Sequence, residues 1–230
     1  MKWEKRMKLP QKIVLSLLIF CALVSQIAFA QETPKARKAK EKLQMYQIPY
    51  TADAFVDHVE KKNYEVVQRF IDAGFDVNSR NSHGEVALIV AAQKGSIKML
   101  ELLDKNKADL NATDIDGSTA LMYAAHFRQS KTVKFLVKKG ADVNQQNNSK
   151  MTALMYAVLG GCIDSIDEVI TKDTDISLKN VQGKTAISLA RDEGFIAVAN
   201  FIKSKLDYLN HRQEKQKVEY EIQLKRSRSN

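Results

Sequence analysis

The six residues Thr119-Ala120-Leu121-Met122-Tyr123-Ala124 return unchanged 33 positions later as Thr152-Ala153-Leu154-Met155-Tyr156-Ala157. The same step brings Val86–Ala91 and Thr185–Ala190 into register, and a looser copy begins at Asp53. A fixed period of this length means that each unit is one supersecondary element whose apolar face is buried only by its neighbours. The chain is therefore committed to a stacked solenoid, and the product of such a stack is an extended surface rather than a reaction pocket.

Five units follow, beginning at Thr51, Gly84, Gly117, Lys150 and Gly183 and spanning 51–83, 84–116, 117–149, 150–182 and 183–208. In each inner unit a first short helix is expected around the Ala-Leu pair. Its small residues, Ala91-Ala92, Ala124-Ala125 or Ala157-Val158, leave a face narrow enough for neighbouring helices to approach closely. A second, outer helix shows apolar spacing of three and four, as in Ile97, Leu100 and Leu103, in Val133, Leu136 and Val137, and in Val66, Phe70 and Ile71. Gly74 and Gly140 close two of these helices with a residue that tolerates positive φ. An extended stretch follows each: Asp76-Val77-Asn78, Asp109-Leu110-Asn111, Asp142-Val143-Asn144 and Asp175-Ile176-Ser177.

These units resemble the ankyrin repeat family, whose pattern runs Gly-x-Thr-Pro-Leu-His-x-Ala-Ala, then Gly-x, Leu-Leu and Gly-Ala-Asp-Val-Asn. The resemblance covers 51–208 and is residue for residue at Gly140-Ala141-Asp142-Val143-Asn144. It implies an all-α solenoid of about five helix-turn-helix units joined by β-turn hairpins, with a C-terminal helical tail. There are departures. Ala87, Ala120, Ala153 and Ala186 stand where the family has Pro, and Ile89, Met122, Met155 and Ser188 where it has His. Lys107, Asp173 and Leu206 occupy the helix-closing Gly slot, and Lys150 the Gly of the hairpin turn. The fourth unit, off pattern at Lys150, Asp173 and Ser177, is expected to be the loosest. The terminal units carry polar caps, His58-Val59 followed by Glu60, Lys61 and Lys62 at one end and Arg191-Asp192-Glu193 at the other.

Three segments flank the array. Residues 1–30 read as a secretory signal: a basic stretch to Lys12, an apolar run from Ile13 to Phe29, and the small-residue site Ala28-Phe29-Ala30, with cleavage expected after Ala30. The alternative is an uncleaved membrane anchor, for which the run is slightly short. A lipid-modified Cys21 is disfavoured by bulky Phe20. Residues 31–50 read as a basic linker, with Lys35, Arg37, Lys38, Lys40 and Lys42 and no apolar stripe before Leu43. Residues 209–230 read as a charged tail that extends the last helix by a few turns and then frays, too sparse in apolar residues for a coiled coil. The formal charge of +9 is concentrated in these flanks. Interleaved aromatics and a nucleic-acid-binding fold are both missing, so nucleic acid is not expected as a partner. Weak contact of the basic arms with an anionic membrane surface is the alternative they offer.

The sequence offers no catalytic constellation. His58, His83, His126 and His211 lack metal-ligand spacing to one another or to Cys162, and no phosphate loop, nucleophile elbow or zincin helix is present. Asp114-Ile115-Asp116-Gly117 lacks the ligand ladder of a calcium loop and is explained as a turn. Cys162, the thiol left after processing, has no basic residue beside it in sequence to activate it. No cofactor or metal is expected, and a monomer is.

The resemblance places partner contacts on the hairpin tips and the exposed side of the first helices, which form one concave face. Carried over position by position, it implies Arg80, His83, Glu85, Ile89, Ile115, Ser118, Met122, His126, Phe127, Met151, Met155 and Leu159 as binding residues. Ile115, Met122, Phe127, Met151, Met155 and Leu159 would then make an apolar strip between polar ends. The competing assignment packs Met122 and Met155 between units, and Tyr123 and Tyr156 are assigned to the core. The sequence thus leads to a non-enzymatic, exported adaptor for another protein, periplasmic or secreted and bacterial; a membrane-anchored tether with a retained leader is the rival.

Overall fold

The computed structural model describes residues 32–228, so the leader and its cleavage site lie outside the described residues. Among them are eleven α-helices and no strand. A capping helix, α1 (Pro34–Met45), precedes five inner helices and five outer helices. The inner set is α2 (Ala52–Glu60), α4 (Ala87–Gln93), α6 (Ala120–His126), α8 (Ala153–Gly160) and α10 (Ala186–Asp192). The outer set is α3 (Tyr64–Asp72), α5 (Ile97–Lys105), α7 (Ser130–Lys139), α9 (Ile163–Val169) and α11 (Ile196–Arg228). The chain is an all-α repeat solenoid.

Apart from α11, helices of this length are marginal alone, so stacking supplies their stability. The small residues of the inner helices, Ala91, Ala92, Ala124, Ala125 and Ala157, are wholly buried, and one apolar core runs unbroken from Ala39 to Ile202. The inner layer is so close that a Cβ on Gly160 would lie 2.6 Å from the His126 carbonyl oxygen. Threonine starts four of the five inner helices. Thr51, Thr119, Thr152 and Thr185 each accept the N–H of the residue three further on, whereas Val86 supplies no such cap.

Each hairpin is built on one Asx residue. The Oδ1 atoms of Asn81, Asp114, Asn147 and Asn180 each accept two backbone N–H groups, two and four residues ahead, which closes the tip. A second asparagine series ties unit to unit. Asn78, Asn111 and Asn144 accept the N–H of Asp109, Asp142 and Asp175 at 2.8 Å, and those aspartates cap their own turns. Both series repeat at the period of the sequence.

The off-pattern residues have identifiable consequences. Lys107 and Lys150 take the left-handed conformation of the glycines they replace, with φ of 65° and 55°. Asp173 does not. Instead the chain leaves α9 at Ile170, and Thr174 Oγ donates to the Val169 carbonyl while accepting the Thr171 N–H. Leu206 closes no helix, because α11 continues through it to Arg228.

The basic linker is corrected to a packed helix. Thr33 caps α1, accepting the Ala36 N–H, and Pro34 sits in its first turn. Ala36, Ala39 and Leu43 are buried, and α1 stacks on α3. Its end is closed by left-handed Gln47, with the Ile48 N–H donating to the Leu43 carbonyl. α1 is thus the outer half of a sixth unit, and it covers the apolar end of the array.

Candidate partner-binding surface

The inner helices present one exposed line, set by their own period. On α6 it runs through Tyr123, His126 and the following Phe127; on α8 it runs through Tyr156 and Leu159. Phe127 is 50% exposed and Leu159 40%. Their surroundings are aromatic. Tyr123 and Phe127 stack with centroids 6.3 Å apart, and the His126 ring meets Phe127 edge-on at 5.2 Å and Tyr156 at 5.7 Å. His126 therefore bridges units three and four.

Two hydroxyl bonds hold this cluster to the hairpin tips. Tyr123 OH donates to Asp114 Oδ2 at 2.7 Å, and Tyr156 OH accepts from Asn147 Nδ2 at 3.0 Å. Burial, and then the bond to Asp114, push the Tyr123 hydroxyl well above its ordinary pKa, so it stays a donor. Asn147 also donates to Ser118 Oγ at 2.9 Å, which joins the hairpin tip at 147–151 to the one at 114–118. Further tip-to-tip bonds run from Asn148 N–H to the Asp116 carbonyl and from Val181 N–H to the Ser149 carbonyl. The tips form a continuous, bonded edge.

The sequence-derived residues divide between this surface and the core. Phe127, Leu159, His126 and Ile115, the last 72% exposed at its tip, are at the surface. So are Arg80 and His83, while Glu85 is half-buried. Arg80 is bonded to the Gly84 and Thr113 carbonyls, and Glu85 accepts from Asn81, so both are engaged within the array. Five assignments are corrected: Ile89, Ser118, Met122, Met151 and Met155 are buried, Met122 and Met155 to 1% exposure. Met122 lies one residue, about 100°, from the exposed line. It packs beneath the hairpin, where its sulfur stands 3.4 Å from the Thr119 N–H. Met155 holds the same place one unit later, and Ser118 is spent on Asn147.

Tyr123 and Tyr156, assigned to the core from sequence, are half-buried and belong to the concave cluster. Counting back four residues from Phe127, or three from Leu159, would have found them. Cys162 is also placed differently from its sequence surroundings. Burial raises its pKa, but hydrogen bonding with Ser165 and the nearby Arg128 of the preceding unit bring it below its ordinary value. It remains buried and free. Among the described residues no group of three or more His, Cys, Asp and Glu converges on a metal-sized site.

Comparison with known proteins agrees with this architecture. Residues 55–147 match the family model described as ankyrin repeats in three copies, and residues 130–167 that described as ankyrin repeats in many copies. No curated protein matches the chain. Such repeats are generally non-catalytic modules for protein–protein interaction.

Proposed function

We propose that the array, matched by ankyrin-repeat models over residues 55–147 and 130–167, makes the chain an exported adaptor whose third and fourth units capture a protein in the periplasm or outside a bacterial cell. The observation that carries the reading is exposed Phe127, set in the aromatic cluster of Tyr123, His126 and Tyr156, with exposed Leu159 three residues beyond Tyr156 on α8. Large apolar side chains at the centre of a polar surface are where binding energy concentrates. Ile115 adds an apolar contact at the tip edge. The leader-like run from Ile13 to Phe29 is what supports export.

The test is affinity capture from the source cell's envelope with the chain from Gln31, alongside Phe127→Ser/Leu159→Ser. The expected outcome is one dominant protein, retained by the parent chain and lost by the variant at unchanged melting temperature. Retention of the same protein by the variant would sink the assignment of the surface. Mass determination of the N-terminus in the cell tests export separately, with Gln31 as the expected first residue.

A further inference from the structure

The helix α1 is firmly attached to the array and carries a net positive charge, part of it on its free side. Within Pro34–Met45 there are five cations, Lys35, Arg37, Lys38, Lys40 and Lys42, against the single acid Glu41. The buried stripe of Ala36, Ala39 and Leu43 fixes which face is free. Opposite that stripe, at 100° per residue, stand Lys38, Glu41 and Met45, with Lys42 beside them, and all four are exposed. Part of the charge is already engaged: Lys35 pairs with Asp72 and Lys40 with Glu32.

The free face is not purely cationic. It ends in Met45, 68% exposed, and Tyr46 follows, exposed with the Arg69 guanidinium over its ring. Beside them a cleft of about 490 Å³ opens, with Leu43, Ile48, Pro49 and Tyr50 in its lining. Lysines whose stems lie along an interface, next to an apolar side chain and a tyrosine, are the elements of a helix that rests on anionic headgroups. The apolar run of the sequence ends at Phe29, four residues before the N-cap Thr33. Any chain still carrying that run in a bilayer would hold α1 at the headgroup level.

We infer that the free face of α1, centred on Lys38, Lys42 and Met45, docks on an anionic phospholipid surface and thereby sets the orientation of the whole array. Because α1 stacks on α3 through buried residues, its contact fixes the stack as a body, where a flexible linker would leave the repeats free to turn. The surface is separate from the concave cluster of units three and four, so lipid and protein partner are bound independently.

The described core residues lie between Ala36 and Ile202, so the chain from Gln31 contains the folding unit. Its partition onto phosphatidylcholine vesicles with and without phosphatidylglycerol is measured by co-sedimentation at low and high salt. Binding is expected with the anionic lipid and not without it, and it should weaken as salt rises. A basic residue near an anionic surface contributes about fivefold to partition, so Lys38→Gln/Lys42→Gln should weaken it roughly 25-fold. Met45→Ser should weaken it further, whereas Lys225→Gln/Arg226→Gln/Arg228→Gln in the tail should leave it unchanged. Absence of anionic-vesicle binding overturns the inference. So does equal binding by the α1 variant, loss that follows the tail variant instead, or binding to polyglutamate in place of vesicles.

Discussion

Asn147 is the most heavily used side chain at the candidate surface, and its removal gives a graded test of how the tips are held. Its amide makes four hydrogen bonds: Oδ1 accepts from Ser149 N–H at 3.1 Å and Met151 N–H at 2.9 Å, and Nδ2 donates to Ser118 Oγ and Tyr156 OH. The residue is buried, so Asn147→Ala leaves two backbone donors and two hydroxyls without their partner. At roughly 0.5–1.5 kcal/mol per bond, the loss should be about 3 kcal/mol. For an array of this size that lowers the melting temperature by about 10 °C. Asn147→Asp should behave differently. The carboxylate keeps both backbone acceptor roles, and the two hydroxyls can turn to donate, as Tyr123 already donates to Asp114 in the unit before. Its cost should be about 1 kcal/mol. Thermal and urea unfolding followed by circular dichroism measure both. Equal losses for the two variants, or a loss for Asn147→Ala below about 1 kcal/mol, would refute the view that this amide organises the tip.

Lys150 holds φ of 55° where Gly117 and Gly183 stand in neighbouring units, so Lys150→Gly should stabilise the array by about 0.5–1 kcal/mol, the left-handed cost less the entropy of a freer unfolded chain. A lower urea midpoint in this variant would contradict that account. Met155→Ala should cost about 2–5 kcal/mol because its side chain is buried, whereas Leu159→Ser, four residues on, should cost less than about 1 kcal/mol. Parity between them on unfolding would overturn the division of core from surface. His58 has a buried Nδ1 without a hydrogen-bond partner, and burial lowers its pKa, opposed by Asp57 and aided by Lys61. The folded state therefore disfavours the proton. The stability linked to this group is fully present above the ordinary histidine value of about 6.5 and is lost as pH falls through it toward the lower folded value. Melting temperature measured across that range should fall with acid less steeply in His58→Asn than in the parent.

The repeat period and the small-residue faces were legible because they are local. The hairpin Asx series and the asparagine series that ties unit to unit both repeat at 33, and so do the outer helices, so counting places them. What the sequence did not show was the angle at which each helix meets its neighbour. Met122 and Tyr123 are adjacent, both large and apolar, and one lies under the hairpin at 1% exposure while the other faces the concave side. Hydropathy cannot separate them; the exposed line through Phe127 can. The packing of α1 is hidden for another reason. Its buried stripe is mostly alanine, Ala36 and Ala39, which carries little hydropathy signal between lysines, although Thr33-Pro34 is a proper helix start. Charge concealed a packed face. Likewise the sequence neighbours of Cys162 carry no cation, and Arg128, which with Ser165 lowers its pKa, arrives from the unit before.

The concave cluster has a property that bears on binding. An aromatic side chain on a surface ordinarily pays to become ordered when a partner arrives. Here Tyr123 and Tyr156 are already fixed at both ends, by the helix backbone and by the hydroxyl bonds to Asp114 and Asn147. Phe127 lies against one of those rings, and His126 stands edge-on between Phe127 and Tyr156. Rings packed in this way have few rotamers left to lose, so the contact area of the cluster converts to affinity with little entropic offset. The same tip residues that tie one hairpin to the next thus set the geometry of the surface, so under the proposed function stability and recognition would rest on one set of bonds. Under the proposed function, a partner engaging Phe127 would meet rings already held against the stack behind them.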